Sequence, residues 1–199
     1  YVDYEALEES RKELAELQNL GGKKKLFQKD ENHKREKQDY KRFFSIGNKH
    51  LVFYSERSGF YRYYAEIIEY LLKKTTVSIH YITNDPNDII FEKAKEQPRI
   101  KPYYIGVKKM ITLMMKLEAD MAIMTTPDLD NYYIKRSLMR KDVEYIYVPH
   151  DPASMHMGFR EHSLDNFDTV FCTGPHIAEE VRASEKIYGT REKTLVEFG

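Results

Sequence analysis

The chain has 199 residues, enough for one sizeable core with an appendage. Basic and acidic residues balance at 32 each, so no overall basic field draws in nucleic acid. The single cysteine, Cys172, excludes an internal disulfide and a cysteine-rich zinc site, and no apolar run approaches the roughly 20 residues of a membrane-spanning helix.

The first residues, YVDYEALEES, are acidic and lack the apolar core of a signal peptide. There is no initiating methionine, and the last residues, LVEFG, stop just after a strand-like run, so the sequence reads as a piece of a longer protein. Helix formers dominate the start, with Leu7, Leu14 and Leu17 at helical spacing, until Gly21-Gly22 breaks the pattern. KKKLFQKDENHKREKQDYKRFF follows. Two readings of residues 1–49 stand. One is a solvated, charged helical arm or linker. The other is a helix on an anionic membrane surface. Lys23, Lys24, Lys25, Lys34, Arg35, Lys37, Lys41 and Arg42 would then face lipid, with Leu26, Phe27, Phe43 and Phe44 inserted. Asp30, Glu31, Glu36 and Asp39 oppose that second reading.

From residue 50 strand and helix patterns alternate. HLVFYS predicts a buried strand, and Ser58-Gly59 a helix start with Ser58 as N-cap. Phe60, Tyr63, Tyr64, Ile67, Ile68, Leu71 and Leu72 follow at helical spacing. VSIHYIT is the next strand, closed by Asn84-Asp85-Pro86-Asn87-Asp88. A short helix over 88–95 and an edge strand in RIKPYYIG come next, then a helix over 107–118. MAIMTT, VEYIYV, DTVFCTG and KTLVEF are further strands; 128–139 reads as helix, and Pro175 opens another. The alternation predicts an α/β fold, a Rossmann-like doubly wound parallel sheet over about 50–199. Such sheets bind ligands beyond the carboxyl ends of their strands, which selects the loops 56–60, 84–88, 126–131 and 149–160.

The glycine-rich dinucleotide fingerprint, the Walker A loop, the G-x-S-x-G elbow and H-E-x-x-H are all absent. A phosphate would have to be held by a helix N-terminus, for which Ser58 and Gly59 are the best candidates, or by Arg and Lys. His150, His156 and His162 recur every six residues near Asp151 and Glu161, but no pair has a familiar metal spacing, so no metal is expected. His150 ends a strand. It is either a loop histidine bonded to a backbone carbonyl or a proton acceptor at the edge of a site, with Asp151 available to orient the ring. Tyr61, Tyr63, Tyr64 and Tyr70 read as core with hydroxyls reaching water, Cys172 as buried filler, and Glu56 and Arg57 either as ligand contacts or as capping and pairing locally.

Several segments in order, LVFYSERSGFYRYYAEIIEYLL, VSIHYITNDPND, ADMAIMTTPDLD, VEYIYVPHD, DTVFCTGPHIAEE and TLVEFG, resemble the first half of the CDP-glycerol glycerophosphotransferase family. These are bacterial enzymes of teichoic-acid synthesis. The resemblance covers about residues 50–199 and implies one half of a GT-B-like architecture, the acceptor domain, with the nucleotide-donor domain outside this chain. It implies a cytoplasmic protein on the inner face of the cell membrane. The partners would be CDP-glycerol, a lipid-linked glycerophosphate acceptor and an anionic membrane surface, with no cofactor and no nucleic acid. The family's strand-end histidine, proposed to activate the acceptor hydroxyl, corresponds to His150. The family's following glycine is Asp151 here, and Pro152-Ala153-Ser154-Met155 replaces its Thr-Pro-Leu-Lys. Asp151, Arg160, Ser58 and Gly59 are the expected substrate contacts, with Arg160 pairing Asp151. The competing readings are half of another GT-B glycosyltransferase and a non-catalytic Rossmann-like binding module.

Overall fold

The computed structural model describes residues 27–151 and 154–198. The expected helix at the start, Gly21-Gly22, Lys23 to Leu26, and Pro152-Ala153 lie outside the described residues. The chain divides into two compact units, Tyr1–Gln38 and Asp39–Gly199. In the first, residues 27–38 are helical, and Phe27 is largely exposed.

The second unit is an α/β Rossmann-like domain. Seven strands, β1 (Leu51–Ser55), β2 (Ile79–Thr83), β3 (Ile100–Tyr104), β4 (Met121–Met124), β5 (Glu144–Tyr147), β6 (Thr169–Cys172) and β7 (Thr194–Glu197), form one sheet. Their order is β3-β2-β1-β4-β5-β6-β7, and every pair is parallel. The helix through 27–44 is α1; the others are α2 (Tyr61–Lys74), α3 (Ile90–Glu96), α4 (Val107–Met115), the short α5 (Met155–Gly158) and α6 (Pro175–Tyr188).

Period-two alternation explains how the strands bury both faces. Leu51 and Phe53 enter one core with Tyr64 and Ile68 of α2 and Ile90 of α3. Val52 and Tyr54 enter the other, with Met110 and Leu113 of α4 and Ile177 and Val181 of α6. Cys172 is fully buried in that second core, as its apolar neighbours suggest. Tyr61 and Tyr64 are core, but the Tyr64 hydroxyl donates to the Tyr54 carbonyl at 2.7 Å instead of reaching water, and Tyr70 stands exposed.

The end of α1 belongs to this core rather than to a lipid-facing arm. Phe43 has no exposed surface and meets Tyr103 edge-on at 5.1 Å. Phe44 packs beside it. Arg42 hydrogen-bonds Asp39 and the Pro102 carbonyl, and Asp39 accepts the Tyr104 N–H at 2.9 Å. These side chains cover the free edge of β3, where Pro102 could donate no ladder bond anyway. Phe43 is therefore not available for membrane insertion in this fold, and Phe44 is partly covered beside it, while Arg42 is exposed. Among the described residues no helix is long and apolar enough to cross a membrane.

The strand boundaries fall within two residues of those expected, but 128–139 is not helical. Asp128 (φ 64°) and Asp130 (φ 63°) adopt left-handed backbone, which interrupts any helix there. Short polar side chains tolerate that conformation better than most.

Candidate functional site

The strand order reverses between β1 and β4. From β1 the chain steps outward to β2 and β3, then returns to lay β4 on the other side of β1. Loops leaving the carboxyl ends of β1 and β4 diverge, and the gap between them is where such sheets hold ligands. Here that gap is a cavity of about 370 Å3. Three of the four loops singled out by the strand-end rule line it. Glu56, Arg57 and Phe60 come from the first, Thr126, Pro127 and Asp128 from the third, and His150, Asp151 and Arg160 from the last. Thr125 and Tyr132 to Ile134 complete the wall. Loop 84–88 stays out. Its Asp88 accepts the Thr83 hydroxyl at 2.8 Å and the Ile90 N–H at 3.0 Å, so it is bound to the end of β2 and the first residue of α3. Burial pushes the Asp88 carboxyl upward despite those bonds.

His150 is held from three sides. Its Nδ1 lies 3.1 Å from the Thr125 carbonyl oxygen. A carbonyl can only accept, so Nδ1 carries the proton in the bonded ring, and Nε2 of the neutral imidazole keeps its lone pair. Phe60 and Tyr63 hold the ring at 5.3 and 6.1 Å between centroids. Of the two readings of this histidine, the backbone bond is present, and it also leaves a ring nitrogen able to take a proton. Thr125, not Asp151, bonds Nδ1.

Arg160 also departs from expectation. Its guanidinium donates to Asp128 Oδ2 at 3.1 Å rather than pairing with Asp151, and it lies over the Tyr132 ring at 5.1 Å. Left-handed Asp128 sends its own N–H to the Ser163 carbonyl at 2.8 Å, which ties the β4 and β5 loops together. Glu56 likewise makes a long-range contact instead of a local one. It accepts the Tyr133 hydroxyl at 2.5 Å, and burial together with that carboxylate pushes the Tyr133 phenol up to about 12. Asp151 is exposed at the rim.

Ser58 and Gly59 do not reach the cavity. They lie in a one-turn helix, Ser58–Phe60, and Ser58 caps nothing: the N-cap position of α2 is Phe60, without a side-chain cap. A Cβ at Gly59 would meet nothing within 4 Å, so no close approach demands glycine there. Thr126, like Thr125, is a lining residue that the sequence did not single out. Only 8 % of Thr126's surface is exposed, yet among the described residues its hydroxyl has no hydrogen-bond partner. A buried hydroxyl left unpaired costs roughly 1–3 kcal/mol.

The three recurring histidines separate. His162 bonds Asp165 at 2.7 Å and lies on Tyr188, and His156 is exposed on α5. Among the described residues no group of three or more His, Cys, Asp or Glu side chains is placed to hold a metal ion. Among the described residues the cavity therefore offers one imidazole, two guanidiniums, the carboxylates of Glu56, Asp128 and Asp151, and the unpaired hydroxyls of Thr125 and Thr126. That set can take a proton from a hydroxyl, and its guanidiniums can meet an anionic group.

No family model matches the chain, and comparisons with curated proteins and with solved structures find no match.

Proposed function

We propose that this domain is the acceptor side of a transferase that moves glycerol phosphate from CDP-glycerol to a membrane-linked, teichoic-acid-type acceptor. His150 takes the proton of the acceptor hydroxyl on Nε2. The resulting oxygen attacks the phosphorus next to glycerol in CDP-glycerol, a new P–O bond forms, and CMP leaves with the electron pair of the broken bond. Phosphoryl transfer of this kind depends mainly on positioning and charge neutralisation. Arg160, held by Asp128, contributes positive charge beside the acceptor. On this reading a second domain carries most contacts to the donor, and the isolated chain does not turn over.

The carrying observation is the bond from His150 Nδ1 to the Thr125 carbonyl at the cavity where the strand order reverses. It supports a base because it leaves Nε2 unprotonated in the neutral ring. The test is CMP release from CDP-glycerol and a lipid-linked glycerophosphate acceptor by the protein extended through a second domain. Acceptor-dependent release is expected. Its absence, with both substrates present and the protein folded, overturns the reading.

A further inference from the structure

Two of the cavity's carboxylates are already engaged, Glu56 by the Tyr133 hydroxyl and Asp128 by Arg160. Among the described residues several donors are left over, the Thr125 hydroxyl among them. The Arg57 guanidinium makes no ion pair or hydrogen bond among the described residues, and it lies over the Phe60 ring at 5.6 Å. The Thr126 hydroxyl is buried without a partner. Each sits one residue from a group that shapes the site. Arg57 follows Glu56, and Thr126 follows Thr125, whose carbonyl holds His150.

We propose that Arg57 and Thr126 form an oxyanion subsite in this cavity that takes the phosphate group of a phosphate-ester ligand. The proposal rests on the reading of His150 as proton acceptor only for what the ester's hydroxyl then meets; the anion binding stands by itself. Guanidinium is the side chain best matched to phosphate oxygens, through two parallel N–H bonds. A threonine hydroxyl donates one more and loses its buried, unpaired state by doing so. Thr126 follows the residue that fixes the His150 ring, and both line the same cavity, so an ester held there shares that cavity with the imidazole. Asp151, exposed at the same rim, opposes the anion and limits its affinity.

Titration of the whole chain with inorganic phosphate, followed by calorimetry or amide shifts, tests the subsite without any turnover. Saturable binding is expected. Arg57→Gln weakens it by about tenfold and Thr126→Val by about threefold, while Asp151→Asn tightens it by about threefold. Lys95→Gln, on α3 outside the cavity, removes the same charge and leaves binding unchanged. Absence of saturable binding overturns the proposal, as does equal weakening by Lys95→Gln and Arg57→Gln. If phosphate binds through Arg57 but the two-domain protein releases no CMP, the transferase reading fails and the subsite stands. CMP release that is indifferent to Arg57→Gln and Thr126→Val removes the subsite and leaves the transferase.

Discussion

The His150 ring and the Thr125 carbonyl, 3.1 Å apart, join two loops that leave neighbouring strands β5 and β4. A side chain supplied by one loop is oriented by the backbone of another. No side-chain substitution at Thr125 can remove that carbonyl, so the orientation of His150 is built into the sheet. The expected outcome is that Thr125→Ser leaves activity within about twofold, whereas changes to the ring itself do not. Steady-state kinetics of the two-domain protein check this.

Arg160 and Asp128 form an exposed pair, with the guanidinium side chain 68 % accessible. Such pairs contribute only about 0–1 kcal/mol to folding. Arg160→Ala should therefore leave the urea midpoint nearly unchanged and raise the KM for the acceptor by about tenfold, the scale of one lost charge-assisted contact. A large loss of stability with an unchanged KM would make Arg160 a structural residue.

Phe43 decides between core and membrane for the end of α1. Phe43→Ala should cost about 3–5 kcal/mol of stability, the usual cost of emptying an aromatic core site. Liposome sedimentation with anionic vesicles should be unaffected by Phe43→Ala at temperatures where the variant is folded. Loss of vesicle binding without loss of stability would reverse that assignment.

His80 makes a pH-dependent contribution to stability. It is buried against Tyr103, with Nδ1 3.0 Å from the phenol oxygen. Burial first, then Lys49, Lys101, Arg42 and His50, lower its pKa to about 4. The unfolded chain, with its histidine near 6.5, binds the proton more readily, so stability falls as pH drops from about 6.5 towards 4. The loss is at most about 3 kcal/mol over that interval, and His80→Phe should remove this part of the pH dependence. Urea unfolding at pH 7, 5.5 and 4.5 measures it. Equal pH slopes in both proteins would contradict the assignment.

Asp168 carries the opposite sign. Burial pushes its carboxyl up, but the Tyr145 N–H and the Arg191 and Arg136 guanidiniums outweigh that and hold it below the usual range. Its contribution is present above the unfolded value near 3.9 and lost as pH falls through the lower folded value. Asp168→Asn should destabilise the protein by about 2 kcal/mol at pH 7, with a smaller difference below pH 3.5. The same denaturation series reads both effects.

Strands and the parallel sheet were legible because their cues are local. Short β-branched and aromatic runs ending in turn residues say where a strand stops, and alternation with amphipathic helices says how strands connect. The loops around the site were legible only as positions. The Glu56–Tyr133 bond spans 77 residues and the Arg160–Asp128 pair 32, and neither leaves a spacing signal. The helix expected over 128–139 failed because two aspartates adopt left-handed backbone, which composition does not reveal. Asp151 looked like the partner of His150 because it is adjacent, yet Nδ1 bonds to a carbonyl 25 residues away. A carbonyl carries no residue identity, so sequence could not have named Thr125 for that role. The place of His150 at the cavity was legible, because strand-end position survives translation from sequence to fold.

The most direct measurement is CMP release by the two-domain protein and its His150→Ala variant, with CDP-glycerol and a lipid-linked glycerophosphate acceptor. The account predicts turnover lower by about 10²–10⁴-fold in the variant, with folding and acceptor binding retained, as expected for loss of a general base. A variant that turns over at the native rate would contradict it.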